Sequence, residues 1–303
     1  MTCRAALANT HAMSTLPDPA KTATLLVCCT DQKGIVAALA QVLYGHGANI
    51  LNSNQHTDPA DGHFFQRIRF DLSDLNTDRV SLEGGIHEVT ERFGMDWKLR
   101  YGSARKKMAI MVSRYDHCLY DLILRHRAGE LECDIAMVVS NHPDLEPIAH
   151  QFGVPYHVFP ITKDNKRAQE DREVELFEKE GIDLIVLARY MQILSGELID
   201  HFPARIINIH HSFLPAFIGR KPYQQAHRRG VKLIGATAHY ATTDLDEGPI
   251  IEQDVIRASH RDSTADLVRK GRDVERTVLA RAVRWNLEDR VIVHGNKTVV
   301  FAA

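Results

Sequence analysis

The stretch KRAQEDREVELFEKEGIDLIVLA, residues 166–188, contains two different periods side by side. Lys166–Glu180 sets Val174 and Phe177 three apart within a run of charges, the pattern of an amphipathic helix. After Gly181, Ile182–Ala188 is nearly all apolar with no alternation, which suits a strand covered on both faces. Strands of that kind belong to parallel sheets whose crossover helices lie on either side.

The same rhythm extends in both directions. Met108–Ser113 (MAIMVS), Asp134–Asn141 (DIAMVVSN), Val154–Phe159 (VPYHVF) and Arg205–His210 (RIINIH) are short apolar runs of the same type. Leu233–Tyr240, Ile250–Ile256, a helical pattern at Thr264–Trp285 and two short strands, Arg290–Val293 and Thr298–Phe301, continue the unit. The expectation is an α/β domain with a Rossmann-like, mostly parallel sheet that binds ligands beyond the carboxyl ends of its strands.

A different order precedes it. TATLLVCCT (22–30), a helical stretch at Lys33–His46, ANILNSNQHT (48–57), HFFQRIRFDL (63–72), a second helical stretch at Asp78–Phe93 and MDWKLRYG (95–102) read as βαββαβ, a ferredoxin-like unit. Pro59–Gly62 supplies its hairpin turn. Periodicity stops at GSARKK (102–107), so the expected layout is a disordered segment at 1–20, a first domain at 21–102, a linker at 103–107 and a second domain at 108–303.

Composition narrows the functional classes. Apolar residues make up 44% and charged residues 25% of the 303, the balance of a soluble globular chain rather than a disordered or membrane one. A formal net charge of −2 gives no field for a nucleic-acid backbone or an anionic membrane. The basic runs Arg105–Lys107 and His227–Arg229 lack interleaved aromatics and read as solvated faces. Five cysteines without CxxC spacing suit reduced thiols, and no secretory or membrane-spanning run is evident, so a cytoplasmic location is expected.

Polar chemistry concentrates where RIINIH ends. Asn208, His210, His211 and Ser212 lead into a loop, and GATAHYATTDLDEGPIIEQ (235–253) then carries His239, Asp246 and Gly248. A carboxylate brought beside a histidine suits proton handling. Alone, Asn208 at a strand end is an ordinary turn former. A metal site on His210, His211 and His239 lacks a second ligand motif such as HExxH, and Ser212 lacks the GxSxG elbow of serine hydrolases.

Asn208-x-His210, Leu214-Pro215, Gly219, His239 and Asp246-x-Gly248-Pro249-Ile250 resemble the formyl-transfer motifs of glycinamide ribonucleotide transformylase and methionyl-tRNA formyltransferase. ARYMQILS (188–195), HHSFLPAF (210–217) and KPYQQA (221–226) are more similar to the formyltetrahydrofolate deformylase family, over residues 22–303. The front unit resembles an ACT domain, with Asp31-Gln32-Lys33-Gly34 and Gly47-Ala48-Asn49-Ile50 at its recognisable points.

This resemblance implies hydrolysis of 10-formyltetrahydrofolate to formate and tetrahydrofolate, with the folate as substrate, no further cofactor and no metal. Asn208 and His210 would stabilise the oxyanion and Asp246 would orient or activate water. Tyr190, Met191, Gln192, Ile193, Leu194, His239 and Gly248 would bind the folate, although Tyr190, Met191, Ile193 and Leu194 are equally readable as core. Asp31, Gly34 and Asn49 would bind an amino-acid effector, glycine or methionine, and the chain would form a homo-oligomer through both domains. Asp31 is equally a simple helix cap. The formate would serve purine biosynthesis and balance one-carbon pools.

Three positions depart from the patterns. Gln192 stands where the transformylase has arginine, Val112–His117 lacks a glycine-rich phosphate cradle, and Ile218 and Arg220 flank Gly219 where the deformylase pattern has proline and a small residue. Without a phosphate site, water becomes the acceptor. A transferase with an amine acceptor and a non-catalytic folate- or amino-acid-sensing regulator remain the alternatives.

Overall fold

The computed structural model of the chain describes residues 18–215 and 222–302. Two compact units emerge. One comprises the chain up to Ser53 together with Ile68–Ala104; the other comprises Asn54–Arg67 and Arg105 onward.

The front elements are β1 (Thr22–Thr30), α1 (Ile35–Gly45), β2 (Asn49–Asp58), β3 (His63–Asp71), α2 (Arg79–Phe93) and β4 (Asp96–Tyr101). They follow the expected order, and the four-stranded sheet runs β2-β3-β1-β4 with β1 and β4 antiparallel. The hairpin turns at Pro59–Gly62, where the Gly62 N–H donates to the Asp58 carbonyl and φ is +69°. Leu25, Leu39, Leu43, Ile68, Phe70, Leu82 and Ile86 are fully buried.

One expectation changes here. Asp31 does not cap α1, whose N-cap is Gly34 at φ +97° with no side-chain cap; Asp78 does cap α2, accepting from the Ser81 N–H. The disordered opening placed at 1–20 lies outside the described residues except at Asp18–Lys21, where Asp18 caps a 3-10 turn over Pro19–Lys21.

The second unit contains β5 (Lys106–Val112), α3 (His117–Arg127), β6 (Cys133–Ser140), α4 (Glu146–Gln151), β7 (Tyr156–Val158), α5 (Lys166–Glu180), β8 (Leu184–Leu187), α6 (Gly196–His201), β9 (Ile206–His210), α7 (Pro222–Arg229), β10 (Leu233–Tyr240), β11 (Ile250–Arg257), α8 (Thr264–Leu287), β12 (Val291–His294) and β13 (Lys297–Val300). Its seven-stranded sheet runs β11-β10-β9-β8-β5-β6-β7, parallel from β9 to β7, with β10 and β11 antiparallel. β5 starts two residues inside the expected linker. Lys106 is not a solvated charge either: its Nζ donates to the Asn286 carbonyl at 2.6 Å and to Asp289 at 2.7 Å, largely out of solvent.

Both faces of the central strands β5, β8 and β9 are largely dry, as their unalternating sequences require. Ile110, Val112, Val186, Ile207, Ile209 and Ala238 pack on one face with α3 and α8, while Ala109, Met111, Ile185, Leu187 and Ile206 pack on the other with Phe177 of α5 and Phe202 of α6. Among the described residues no helix is long and apolar enough to cross a membrane. Phe177→Ala removes a fully buried ring and should cost about 3–5 kcal/mol, read as a lower denaturation midpoint at an unchanged m-value.

Candidate active site

Alternation along β9 sends Ile207 and Ile209 into the core under α8, so Asn208 and His210 point to the opposite face. The antiparallel register with β10 sets Asn208 opposite His239 and His210 opposite Thr237, which places all four side chains together. The loop after β10 leaves beside β9, where the Ala241 N–H donates to the Ile206 carbonyl, and folds back over this face. Asp246, at a left-handed φ of +59°, thereby reaches His210, its Oδ1 lying 3.1 Å from Nδ1.

Gly248 permits that return. A Cβ there would fall 1.9 Å from the Tyr240 carbonyl oxygen, so only glycine lets the loop close against β10. Gly248 was expected to bind substrate; its visible task is this close approach.

The hydrogen-bond directions follow from chemistry. A carboxylate only accepts, so His210 Nδ1–H donates to Asp246. His239 Nδ1 faces the Tyr240 carbonyl at 2.9 Å and must donate to it, leaving Nε2 of the neutral ring to accept from Asn208 Nδ2 at 3.2 Å. The 3.7 Å separation of His239 Nε2 from Asp246 is too long for a hydrogen bond. His239 is almost fully buried and orients the Asn208 amide, whose second N–H remains for a ligand. His210 Nε2 is buried and has no hydrogen-bond partner among the described residues. Burial, the largest single influence, would push the Asp246 carboxyl up, but the adjoining His210 and His239 together outweigh it and hold the group well below the carboxylate range.

The segment expected to bind folate divides by burial. Tyr190 and Leu194 belong to the core, whereas Met191 and Ile193 are 51% and 61% exposed and Gln192 is half-buried between them. Three side chains pin this irregular segment. Ser113 Oγ accepts from Met191 N–H at 2.9 Å, Glu170 accepts from Ser195 N–H at 3.1 Å, and Tyr190 OH lies 3.4 Å from Glu173. Sequence reasoning missed these supports, as well as Thr237, which accepts from Leu214 N–H and donates to the Ser212 carbonyl. The runs of charge on α5 hid the two buried glutamates.

Of the effector residues, Asp31, Gly34 and Asn49 are all exposed in the front unit. Ile218 and Arg220 lie outside the described residues.

Residues 106–283 match the formyl transferase family and residues 23–80 the ACT domain family. The chain is 54% identical to the formyltetrahydrofolate deformylase of Synechocystis sp., over 93% of this chain and 99% of that protein. It is similar to the crystal structure of a formyltetrahydrofolate deformylase from Pseudomonas syringae, with a TM-score of 0.90 and 47% identity over 93% of this chain and 94% of that one. Glycinamide ribonucleotide transformylase 1 from Symbiobacterium toebii is similar over 65% of this chain and 95% of its own, with a TM-score of 0.62 and 32% identity.

Glu173 yields a pH prediction. Burial, then the neighbouring Glu170, pushes its carboxyl from 4.5 up to about 8. Between those values the folded state binds the extra proton, so stability falls as pH rises through the window. Glu173→Gln removes that loss, and its melting temperature should gain on the parent's from pH 5 to pH 8, reaching a gap on the order of 5 °C that then levels off. A gap independent of pH would show that Glu173 does not titrate in this window.

Proposed function

This chain belongs to the formyltetrahydrofolate deformylase family and is a hydrolase with an ACT domain before its formyl transferase domain, and from that premise we propose that it hydrolyses 10-formyltetrahydrofolate through Asn208, His210 and Asp246. The observation that carries the reading is the convergence of a half-committed amide, a partnerless buried imidazole nitrogen and an ionised carboxylate on one sheet face.

In this scheme a water held by Asp246 attacks the formyl carbon. The carbonyl oxygen becomes an oxyanion that receives the free N–H of Asn208 and a hydrogen bond from protonated His210 Nε2. Asp246, accepting from Nδ1–H, holds the ring with Nε2 turned to the oxyanion. The carbon–N10 bond then breaks, the proton that the attacking water gave up to Asp246 passes to N10, and formate and tetrahydrofolate leave. The exposed 191–193 segment is proposed to receive the folate ring, with Tyr190 and Leu194 anchoring it from the core and His239 and Gly248 shaping the site indirectly.

The finer biological reading is proposed on the same footing: formate supplied to purine biosynthesis, a homo-oligomer, a domain change between residues 103 and 107, and an amino-acid effector at Asp31, Gly34 and Asn49 of the ACT unit. Asp246→Asn and His210→Ala should abolish formate release while the folded unit persists, and Asn208→Ala should lose about 10²–10³ in rate. Near-normal turnover in any of the three removes that residue from the scheme. Titration with glycine and with methionine should shift the rate for one of them; flat responses to both eliminate those two effectors.

A further inference from the structure

A second group of buried charges lies beside the catalytic face. The chain proceeds from β5 to β6 and β7 on one side, then places β8 and β9 on the other, so the strand order reverses between β5 and β8. Open parallel sheets bind ligands in the crevice beyond such a reversal. Here the protein's own side chains occupy it.

Arg189, two residues past β8, is buried at φ +65°, a left-handed conformation that costs an L side chain energy. Its guanidinium carbon sits 4.9 Å from the centroid of the Tyr115 ring, which follows β5, and its Nε is 3.4 Å from Oε2 of Glu275 on α8. The same Oε2 lies 2.8 Å from His117 Nε2 at the start of α3, while Oε1 accepts from Tyr223 OH at 2.6 Å. Tyr223 reaches Glu275 across Gly271, where a Cβ would fall 2.0 Å from the phenol oxygen. His211 adjoins His210 with ring centroids 5.1 Å apart, and burial followed by the Arg189 charge pulls it down to about 4, so it stays neutral. Burial alone would push the Glu275 carboxyl up, but the His117 hydrogen bond and Arg189 hold it low.

Buried ion groups are poor sources of net stability because desolvation offsets their attraction. Paired with a backbone conformation unfavourable to arginine, the cluster calls for a functional reason. The similar Symbiobacterium toebii protein shares this fold and is named for a second substrate, glycinamide ribonucleotide.

We propose that Arg189, Tyr115, Glu275 and His117 form a specificity device that fills the acceptor side of the crevice, so that water but not an amine reaches the formyl carbon. The proposal rests on the hydrolytic reading above. An amine entering there must displace Arg189 and leave the Glu275 carboxylate buried without its cation, a penalty water does not incur. Once admitted, the amine nitrogen attacks the formyl carbon, the carbon–N10 bond breaks, and the proton lost by the amine ends on N10. The products are a formamide and tetrahydrofolate, with no formate.

The test follows tetrahydrofolate and formate from 10-formyltetrahydrofolate with and without added glycinamide, and detects N-formylglycinamide by mass spectrometry. The wild-type protein should give a product ratio of one in both conditions. Absence of formate from wild type without amine sinks the hydrolytic reading itself, separately from this proposal. Arg189→Gly, which suits the left-handed backbone, should raise the tetrahydrofolate-to-formate ratio by roughly twofold or more with glycinamide and yield the formylated amine. Tyr115→Ala opens the same crevice from its other wall, removing the ring against Arg189 but leaving both charges of the Arg189–Glu275 pair in place, and decides the matter if Arg189→Gly does not fold. A ratio that stays at one in the folded variant overturns the proposal. So does complete loss of turnover in folded forms of both variants, because the residues would then serve the chemistry rather than bar the amine.

Discussion

The candidate catalytic face depends on one hydrogen bond, from His210 to Asp246, between groups that the chain separates by a helix, a strand and the loops around them. β10 runs antiparallel to β9, so the loop that follows it starts beside β9's first residues rather than its last. It must therefore fold back along the sheet to bring Asp246 to His210. The left-handed turn at Asp246 and the side-chain-free contact of Gly248 with the Tyr240 carbonyl make the return possible. A Cβ at residue 248 would push the carboxylate away from the imidazole with no change in any chemical group.

Burial alone does not set the charge of the acids in this unit. Asp246 and Glu275 are shielded from water, yet the groups beside them, His210 with His239 for one and His117 with Arg189 for the other, together outweigh the desolvation. Glu173 is shielded too, but its neighbours are another carboxyl and a phenol, so desolvation prevails and it holds its proton. The partner on the adjoining element therefore decides whether a buried carboxyl provides charge or merely shape. Asp246 lies against His210 and Glu275 against Arg189, while the neutral Glu173 lies beside Tyr190.

Much of this architecture is legible from pattern. Unalternating apolar runs separated by helical spacing announce a parallel sheet, and the helix at Lys166–Glu180 has the same bounds in the structure. Asn208 and His210 could be nominated from their place at a strand's carboxyl end together with the resemblance to the formyl-transfer motifs. The loop offered Asp244, Asp246 and Glu247 alike, and the resemblance to the formyl-transfer motifs picked out Asp246. Arg189, His117 and Glu275 left no such trace: they sit on three elements separated by long stretches of chain, and each looks like an ordinary surface charge. The two glutamates on α5 were hidden in the same way, and Asp31 resembled a cap until Gly34 took that position.

The sequence by itself determined the order of elements, the two sheet types and the face on which Asn208 and His210 project, since these follow from local periodicity and the two-residue repeat of a strand. Only the tertiary structure decided which acids are ionised, that His239 orients Asn208, and that Arg189 stands between Glu275 and the Tyr115 ring. Those outcomes depend on distances between groups remote in the chain and on the water excluded around them, neither of which any local pattern of residues encodes.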